Sequence, residues 1–209
     1  MMINDKSVNN SPYVGSGQIT REQFLFYEMR TAAKLLSSGL NDKEVIEKII
    51  QENLFQYPTE KSVKQMARIC VERLKCLQSD DLVSAIAFSD SVSAKQICLF
   101  AMMKKYRIVW DFMITVVGEK YKQRDYSFSR SDIRAFFLRL QEQDEYVASW
   151  SDNTIKKMES VLSRLLIENE YIDDGKSASL NAVLITTILE NTIRLIGDQK
   201  ALPAFNCLD

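Results

Sequence analysis

Residues 150–180 read WSDNTIKKMESVLSRLLIENEYIDDGKSASL, and this stretch decides the fold prediction. Ser151 or Asn153 is suited to cap a helix, and the apolar residues that follow have the three- and four-residue spacing of an amphipathic helix. Asp-Gly at 174–175 comes soon after and is a strong signal for a type I′ turn between two short strands. A preceding helix begins at Ser129 or Ser131. Two helices followed by a hairpin predict a winged-helix-like unit.

The outward face of the second of these helices is basic. In projection at 100° per residue, the face opposite the apolar stripe carries no carboxylate. In a winged helix the second helix lies in the major groove and the wing touches the DNA backbone. The predicted DNA-binding residues are Asn153, Lys156, Lys157, Ser160, Arg164 and, from the tip of the wing, Lys176. Docking of another protein and a plain solvated surface remain alternatives for this face.

A second basic stripe lies in an earlier helix, which Thr59 caps and which runs to about Leu77. Glu72 interrupts this stripe, and a basic stripe opposite a core face usually serves solubility alone. A second nucleic-acid surface is the alternative hypothesis. Its residues are Lys61, Lys64, Arg68 and Lys75.

The remaining pattern is helical, so the fold class is mainly α: an N-terminal helical bundle followed by the winged-helix-like unit with its small β-hairpin. Thr20 and Asn41 begin two of the bundle helices, each with a glutamine or glutamate three residues later, as in a capping box. Residues 94–103 are apolar nearly all round and predict a buried central helix. The predicted domains are a flexible tail at 1–18, the bundle at 19–125 and the C-terminal domain at 126–209.

The composition argues against an enzyme. The chain has 209 residues and no histidine, which removes Ser-His and Cys-His nucleophile pairs and the commonest metal ligand. The four cysteines form no C-x-x-C pair, and no Walker A or G-x-G-x-x-G pattern occurs. We therefore expect a non-enzymatic protein that needs neither a metal nor another cofactor.

The charge and hydropathy limit where the protein acts. The net charge is −1, so any nucleic-acid site must be a local patch rather than a general basic surface. The polar N-terminus has no apolar segment of the signal-peptide type, and no apolar run is long enough to span a bilayer. We therefore expect a cytoplasmic protein that makes no membrane contact.

Two segments, 24–74 and 150–172, resemble the family of the small A component of BREX phage-exclusion systems, BrxA. The most specific strings are F-Y-E-M at 26–29, N-L-F-Q-Y-x-T-E-K-S at 53–62 and W-S-x-x-T-I-K-K at 150–157. The resemblance implies a non-enzymatic subunit of a bacterial defence system that also contains a DNA methyltransferase, an ATPase, a phosphatase-like protein and a protease-like or AAA+ protein. It also implies DNA binding, and a likeness to NusB, an all-helical RNA-binding antitermination factor.

The functional prediction is therefore duplex DNA binding within a BREX system, through the basic helix and the wing. Two alternatives stay open. One is a protein–protein adaptor that scaffolds other BREX components without nucleic-acid contact, which the near-zero net charge favours. The other is RNA binding, which the likeness to NusB suggests.

Overall fold

Helices dominate the protein, whose computed structural model describes residues 10–208. Contacts between Cα atoms divide the described chain into two units. The bundle unit comprises residues 24–105 and 185–197. The α10 unit, named after its longest helix, α10 (Asp152–Glu168), comprises residues 10–23, 106–184 and 198–208.

The bundle unit is built from six α-helices. Side-chain caps begin four of them: Asn41 forms a complete capping box with Glu44, the hydroxyls of Thr59 and Ser79 each accept a backbone N–H bond, and the Asp90 carboxylate accepts from the Ser93 amide at 2.9 Å. The expected starts at Asn41 and Thr59 are therefore confirmed. The helices are α1 (Phe26–Ser37), α2 (Asp42–Gln51), α3 (Glu60–Cys76), α4 (Asp80–Phe88), α5 (Ser91–Lys105) and α11 (Thr187–Leu195).

The predicted central helix is confirmed as α5. From Ala94 to Met103 every residue except Lys95 is buried, and α5 packs against α3 and α4. A helix that is apolar nearly all round needs neighbours on all sides, which is why it occupies the core of its unit.

The α10 unit combines α-helices with tighter and wider helical turns. Gly118 lies in the π-helix Met113–Gly118, where a Cβ atom would be only 3.2 Å from the backbone nitrogen of Ala204. The glycine therefore permits the close approach of two backbones. The helices are a 3₁₀ helix at Ser16–Thr20, α6 (Arg107–Phe112), the π-helix, α7 (Glu119–Lys122), α8 (Arg130–Gln143), α9 (Glu145–Ala148), α10 (Asp152–Glu168) and a 3₁₀ helix at Gln199–Phe205.

The expected first helix begins later than its capping-box spacing predicts. Thr20 ends the first 3₁₀ helix, and its hydroxyl donates to the carbonyl of Gly17 at 2.9 Å. Leu25 then adopts the left-handed conformation with φ 57°, and α1 begins at Phe26. The predicted cap at Thr20 is therefore wrong. Its hydroxyl bonds within the preceding 3₁₀ helix, and the left-handed conformation of Leu25 prevents the helix from starting earlier.

Part of the expected tail is folded. Tyr13 is buried and donates its hydroxyl proton to Asp111 at 2.8 Å, and Ser16 is buried too. Residues 1–9 of the predicted tail lie outside the described residues. The two predicted domains, 19–125 and 126–209, remain predictions. Contacts divide the chain differently, into the two units described above, but they do not show which segments fold independently.

The predicted β-hairpin at 170–180 is wrong. The residues of its first strand instead close the C-terminus of α10 in a Schellman motif. Glu170 takes φ 63°, its amide donates to Ile167, and the Tyr171 amide donates to the Leu166 carbonyl at 2.9 Å. Gly175 is not among the glycines with positive φ, so the type I′ turn is absent as well.

The second expected strand pairs elsewhere. Phe128 donates to the Ala178 carbonyl at 3.0 Å, and Leu180 donates to the Tyr126 carbonyl at 2.7 Å, on either side of an isolated antiparallel bridge. Within residues 10–208 no longer strand forms. Tertiary pairing with the segment before α8 has therefore replaced the local hairpin. Among the described helices, none is both long and apolar enough to cross a bilayer.

Asp125 anchors this bridge, and we expect Asp125→Asn to lower the melting temperature at pH 7. Hydrogen bonds from Ser127, and then from Lys120, hold the pKa of the Asp125 carboxyl at about 2. A lowered folded-state pKa stabilises the protein above the unfolded pKa, and this stabilisation is lost as the pH falls towards 2. The melting-temperature difference between wild type and variant should therefore shrink from pH 5 to pH 2. Glu142→Gln, at an exposed site on α8, is the control; a difference for Asp125→Asn that does not change with pH would contradict this account.

Candidate nucleic-acid interface

The face of α10 that the sequence predicts to be outward is exposed. Ser151 caps the helix by accepting from the Thr154 amide at 3.2 Å, which confirms one of the two expected caps. The apolar stripe turns inward, and Met158, Leu162 and Leu166 are completely buried. All five predicted helix residues are exposed to solvent: Asn153, Lys156, Lys157, Ser160 and Arg164.

The three cations of this face form no ion pairs in the described part of the chain. Within residues 10–208 neither Lys156 nor Lys157 forms an ion pair. Arg164 donates from Nη1 to Oε1 of Gln23 at 2.7 Å, and this partner is a neutral amide. No carboxylate of the described chain therefore pairs with any of these three side chains.

The two polar residues of the face differ in what they offer. Ser160 donates its only hydroxyl proton to the Lys156 carbonyl at 2.9 Å, so its oxygen presents lone pairs outward. Asn153 lies on the first turn of α10 with its amide exposed. Asn153 can donate to a phosphate, whereas Ser160 in this rotamer cannot.

Lys176 lies in the turn at 173–176, which occupies the place of the predicted wing. The Lys176 side chain is exposed, but Asp173 and Asp174 in the same turn are exposed too. The Asp174 carboxylate accepts from the Lys176 backbone amide at 2.6 Å and thereby shapes the turn. The turn therefore offers one cation beside two carboxylates, whereas the predicted face of α10 offers three cations.

Arg130 is a further basic residue of this unit, which the sequence pattern does not predict to bind DNA. It is the first residue of α8, is exposed, and donates from Nε to the Gly175 carbonyl at 3.0 Å. Its position directly after the cap at Ser129 is a local signal, but the contact with Gly175 spans 45 residues. Sequence periodicity has no means of finding such a contact.

A cavity of about 360 Å³ lies between α8, α10 and the turn. Its lining brings together Arg164, which the sequence predicts to bind DNA, and Arg130, which it does not. It also contains one carboxylate, which the helical projection does not place on the basic face. That carboxylate belongs to Glu159. The lining residues are Arg130, Ile133, Glu159, Ser160, Ser163, Arg164, Ile167 and Gly175.

The second basic stripe lies on α3 of the bundle unit, and its four predicted residues are exposed: Lys61, Lys64, Arg68 and Lys75. Lys75 forms an ion pair with Asp42 at 2.7 Å, and the hydrogen bond to Asp42 raises the pKa of the lysine. Glu72, which interrupts the stripe, is paired with Lys105. The stripe therefore keeps three cations without an ion pair in the described chain, and its carboxylate is neutralised.

The chain is similar to proteins of the BrxA family. A family model described as BrxA matches residues 14–197. A BREX protein BrxA from Bacillus cereus (strain H3081.97) is 36% identical over 181 residues, which cover 86% of this chain and 90% of the relative. A BREX protein BrxA from Escherichia coli O9:H4 (strain HS) is 25% identical over 172 residues, or 82% of this chain and 80% of the relative.

A solved structure has the same fold. The crystal structure of an uncharacterized protein from Magnetospirillum magneticum superimposes with a TM-score of 0.75, covering 90% of this chain and 96% of that one. The two sequences are 22% identical, so the likeness concerns the fold alone.

Proposed function

Because this chain belongs to the BrxA family, we propose that it acts as a non-enzymatic, DNA-binding component of a BREX phage-defence system. Duplex DNA lies along the exposed face of α10, with Lys156, Lys157 and Arg164 on backbone phosphates. Asn153 donates to a further phosphate, and Ser160 and Lys176 lie at the edge of the contact.

The observation that carries the proposal is the set of three exposed cations without carboxylate partners on one helix face. From Lys156 to Arg164 the helix advances by about 12 Å, since each residue adds about 1.5 Å. The major groove of B-DNA is about 12 Å wide and admits an α-helix. Cations at this spacing can therefore reach phosphates along the groove.

The turn at 173–176 supports the same orientation although no hairpin forms. The Arg130–Gly175 hydrogen bond ties the turn to α8, and the turn and α10 line one cavity. The turn therefore flanks α10 as a wing flanks the second helix of a winged helix.

We expect binding to labelled duplex DNA, measured by fluorescence anisotropy, to weaken steeply with salt. Each phosphate neutralised contributes a slope of about −0.9 to log Kobs against log salt, so three or four contacts give roughly −3 to −4. Affinity that does not change between 50 and 200 mM salt, or no binding at 50 mM salt, would contradict the proposal. Structured RNA of equal length, added as a competitor, separates DNA binding from RNA binding.

The α3 stripe gives the proposal a second phosphate-binding surface. Lys61, Lys64 and Arg68 are exposed without ion pairs in the described chain, whereas Lys75 is neutralised by Asp42. Substitution of Lys61, Lys64 and Arg68 by glutamine reduces the magnitude of the salt slope if this surface touches DNA. It leaves the slope unchanged if the stripe serves solubility.

A protein–protein adaptor is the second candidate function. The observation in its favour is the exposed apolar surface of α11, where Leu195 is 86% exposed and Ile188 is 37% exposed. These two side chains are seven residues apart and so share one face of the helix. A contiguous exposed apolar patch is typical of a docking surface. Co-purification with the methyltransferase or the phosphatase-like protein of the same system after nuclease treatment, without DNA affinity, favours the adaptor.

A further inference from the structure

The cavity between α8, α10 and the turn has the features of a built anion site. Two guanidinium groups, Arg130 and Arg164, line a space of about 360 Å³. Ligand pockets range from about 300 to 1,000 Å³, so the space lies at the small end of that range. The guanidinium group presents a planar fork of donors that matches the oxygens of a phosphate.

Both arginines are held by neutral acceptors and keep donors free. Arg130 uses Nε to bind the Gly175 carbonyl, which leaves its terminal nitrogens for a ligand. Arg164 uses Nη1 to bind the Gln23 amide oxygen. Each hydrogen bond fixes a side chain that would otherwise lose rotamer freedom on binding, so part of the ordering cost is met before the ligand arrives.

The carboxylate nearest to Arg130 in the sequence is engaged elsewhere. Asp132, two residues after Arg130, accepts from the Ser129 amide at 2.7 Å and pairs with Lys120 at 3.2 Å. Only Glu159 adds negative charge to the lining. Two arginines and one glutamate give the lining a formal charge of +1, equal and opposite to that of one phosphodiester.

We propose that this cavity binds one internal phosphodiester of the DNA backbone, clamped between Arg130 and Arg164. The inference rests on the proposed DNA binding and adds the ligand unit and a residue, Arg130, to it. Ile133 and Ile167 line the same cavity and offer an apolar surface to the adjoining deoxyribose. The hydroxyl of Ser163, which makes no hydrogen bond within residues 10–208, can donate to a phosphate oxygen.

The salt slope tests the clamp, because it counts neutralised phosphates rather than cations. We expect Arg130→Gln and Arg164→Gln each to weaken binding to a labelled 5′-hydroxyl duplex about twofold to fivefold and to reduce the magnitude of the slope by about 1. The double variant should also reduce it by about 1, since both arginines hold the same phosphate. A reduction of about 2 would mean two independent contacts and would overturn the clamp.

Gly175→Ala tests the position of the Arg130 guanidinium group without changing the charge of the cavity lining. A Cβ atom on residue 175 would lie 2.9 Å from Nη2 of Arg130, so the guanidinium must move, while the backbone conformation at 175 tolerates alanine. We expect Gly175→Ala to weaken DNA binding several-fold at an unchanged melting temperature. Equal affinity of wild type and Gly175→Ala would overturn the role given to Arg130.

Glu159→Gln is the opposite test, because it raises the formal charge of the lining to +2. We expect it to tighten DNA binding several-fold. Lys34→Gln, on α1 of the bundle unit, alters the net charge of the protein by one, as do Arg130→Gln and Glu159→Gln, and should leave affinity and slope unchanged. A loss of affinity in Glu159→Gln would mean that the carboxylate assists binding, contrary to the proposal.

A duplex with a 5′-phosphate distinguishes the two possible sources of the phosphate. An internal phosphodiester predicts equal affinity for 5′-phosphate and 5′-hydroxyl duplexes, and tighter binding of the former would overturn the assignment in favour of a terminal phosphate. If wild type binds duplex DNA and Lys156→Gln weakens it, but Arg130→Gln does not, the clamp fails and the proposed function stands. If wild type binds no duplex DNA, both fail.

Discussion

The triple charge reversal Lys156→Glu/Lys157→Glu/Arg164→Glu should reduce affinity for duplex DNA by about tenfold to a hundredfold or more. Each lost contact removes about 0.5–1 kcal/mol at an exposed site, and 1.4 kcal/mol corresponds to a factor of ten. The three new carboxylates also repel phosphates that the cations attracted. Because all three side chains are exposed, the melting temperature should change little.

A matched control separates the local face from overall charge. Each reversal changes the net charge by two, so the triple variant moves it by six, from −1 to −7. Reversal of Lys34, Lys43 and Lys48, to none of which a DNA contact is assigned, gives the same net charge. If the control weakens binding as much as the α10 variant, the effect is due to net charge, and the assigned face is wrong.

Tyr171→Ala should have the largest effect on stability, about 3–5 kcal/mol of unfolding free energy, as for other buried aromatic residues cut back to alanine. The ring is completely buried beside Tyr121, and the hydroxyl donates to the Ala204 carbonyl at 2.9 Å. The backbone of Tyr171 also closes α10 and accepts from the Asn181 amide at 2.8 Å. Burial raises the pKa of its hydroxyl well above the usual value, so the group stays neutral.

Chemical denaturation of two further variants apportions this effect. Tyr171→Phe keeps the ring but leaves the buried Ala204 carbonyl without its partner, and should cost about 1–3 kcal/mol. Tyr126→Ala removes a ring that is 41% exposed in the same unit and should cost much less than Tyr171→Ala. Equal destabilisation by Tyr171→Ala and Tyr126→Ala would contradict the role of burial.

Local signals in the sequence predicted much of the fold. The caps at Asn41, Thr59 and Ser151 are confirmed because capping depends on a few neighbouring residues. The hairpin prediction failed because Asp-Gly competes with contacts that are distant in sequence. Glu170 adopts a left-handed conformation to close α10, and Ala178 pairs with Phe128 instead of folding back.

The candidate site was predicted only as far as periodicity reaches. Projection of one helix found which side chains of α10 face outward, since burial of its apolar stripe fixes the opposite face. It did not find Arg130, because the hydrogen bond to Gly175 joins two segments whose proximity depends on the tertiary fold. It also did not find that Gln23 holds Arg164, a contact across 141 residues.

The path of the chain limits how the gene can be dissected. The polypeptide passes from one contact-defined unit to the other at residues 23–24, 105–106, 184–185 and 197–198. A stop codon after residue 184 would remove α11 from the bundle unit and the last 3₁₀ helix from the α10 unit together. A deletion that extends past residue 23 from the N-terminus, or past residue 198 from the C-terminus, therefore removes residues of both units. Its phenotype cannot be attributed to either unit, and genetic mapping of function across most of this protein depends on point substitutions.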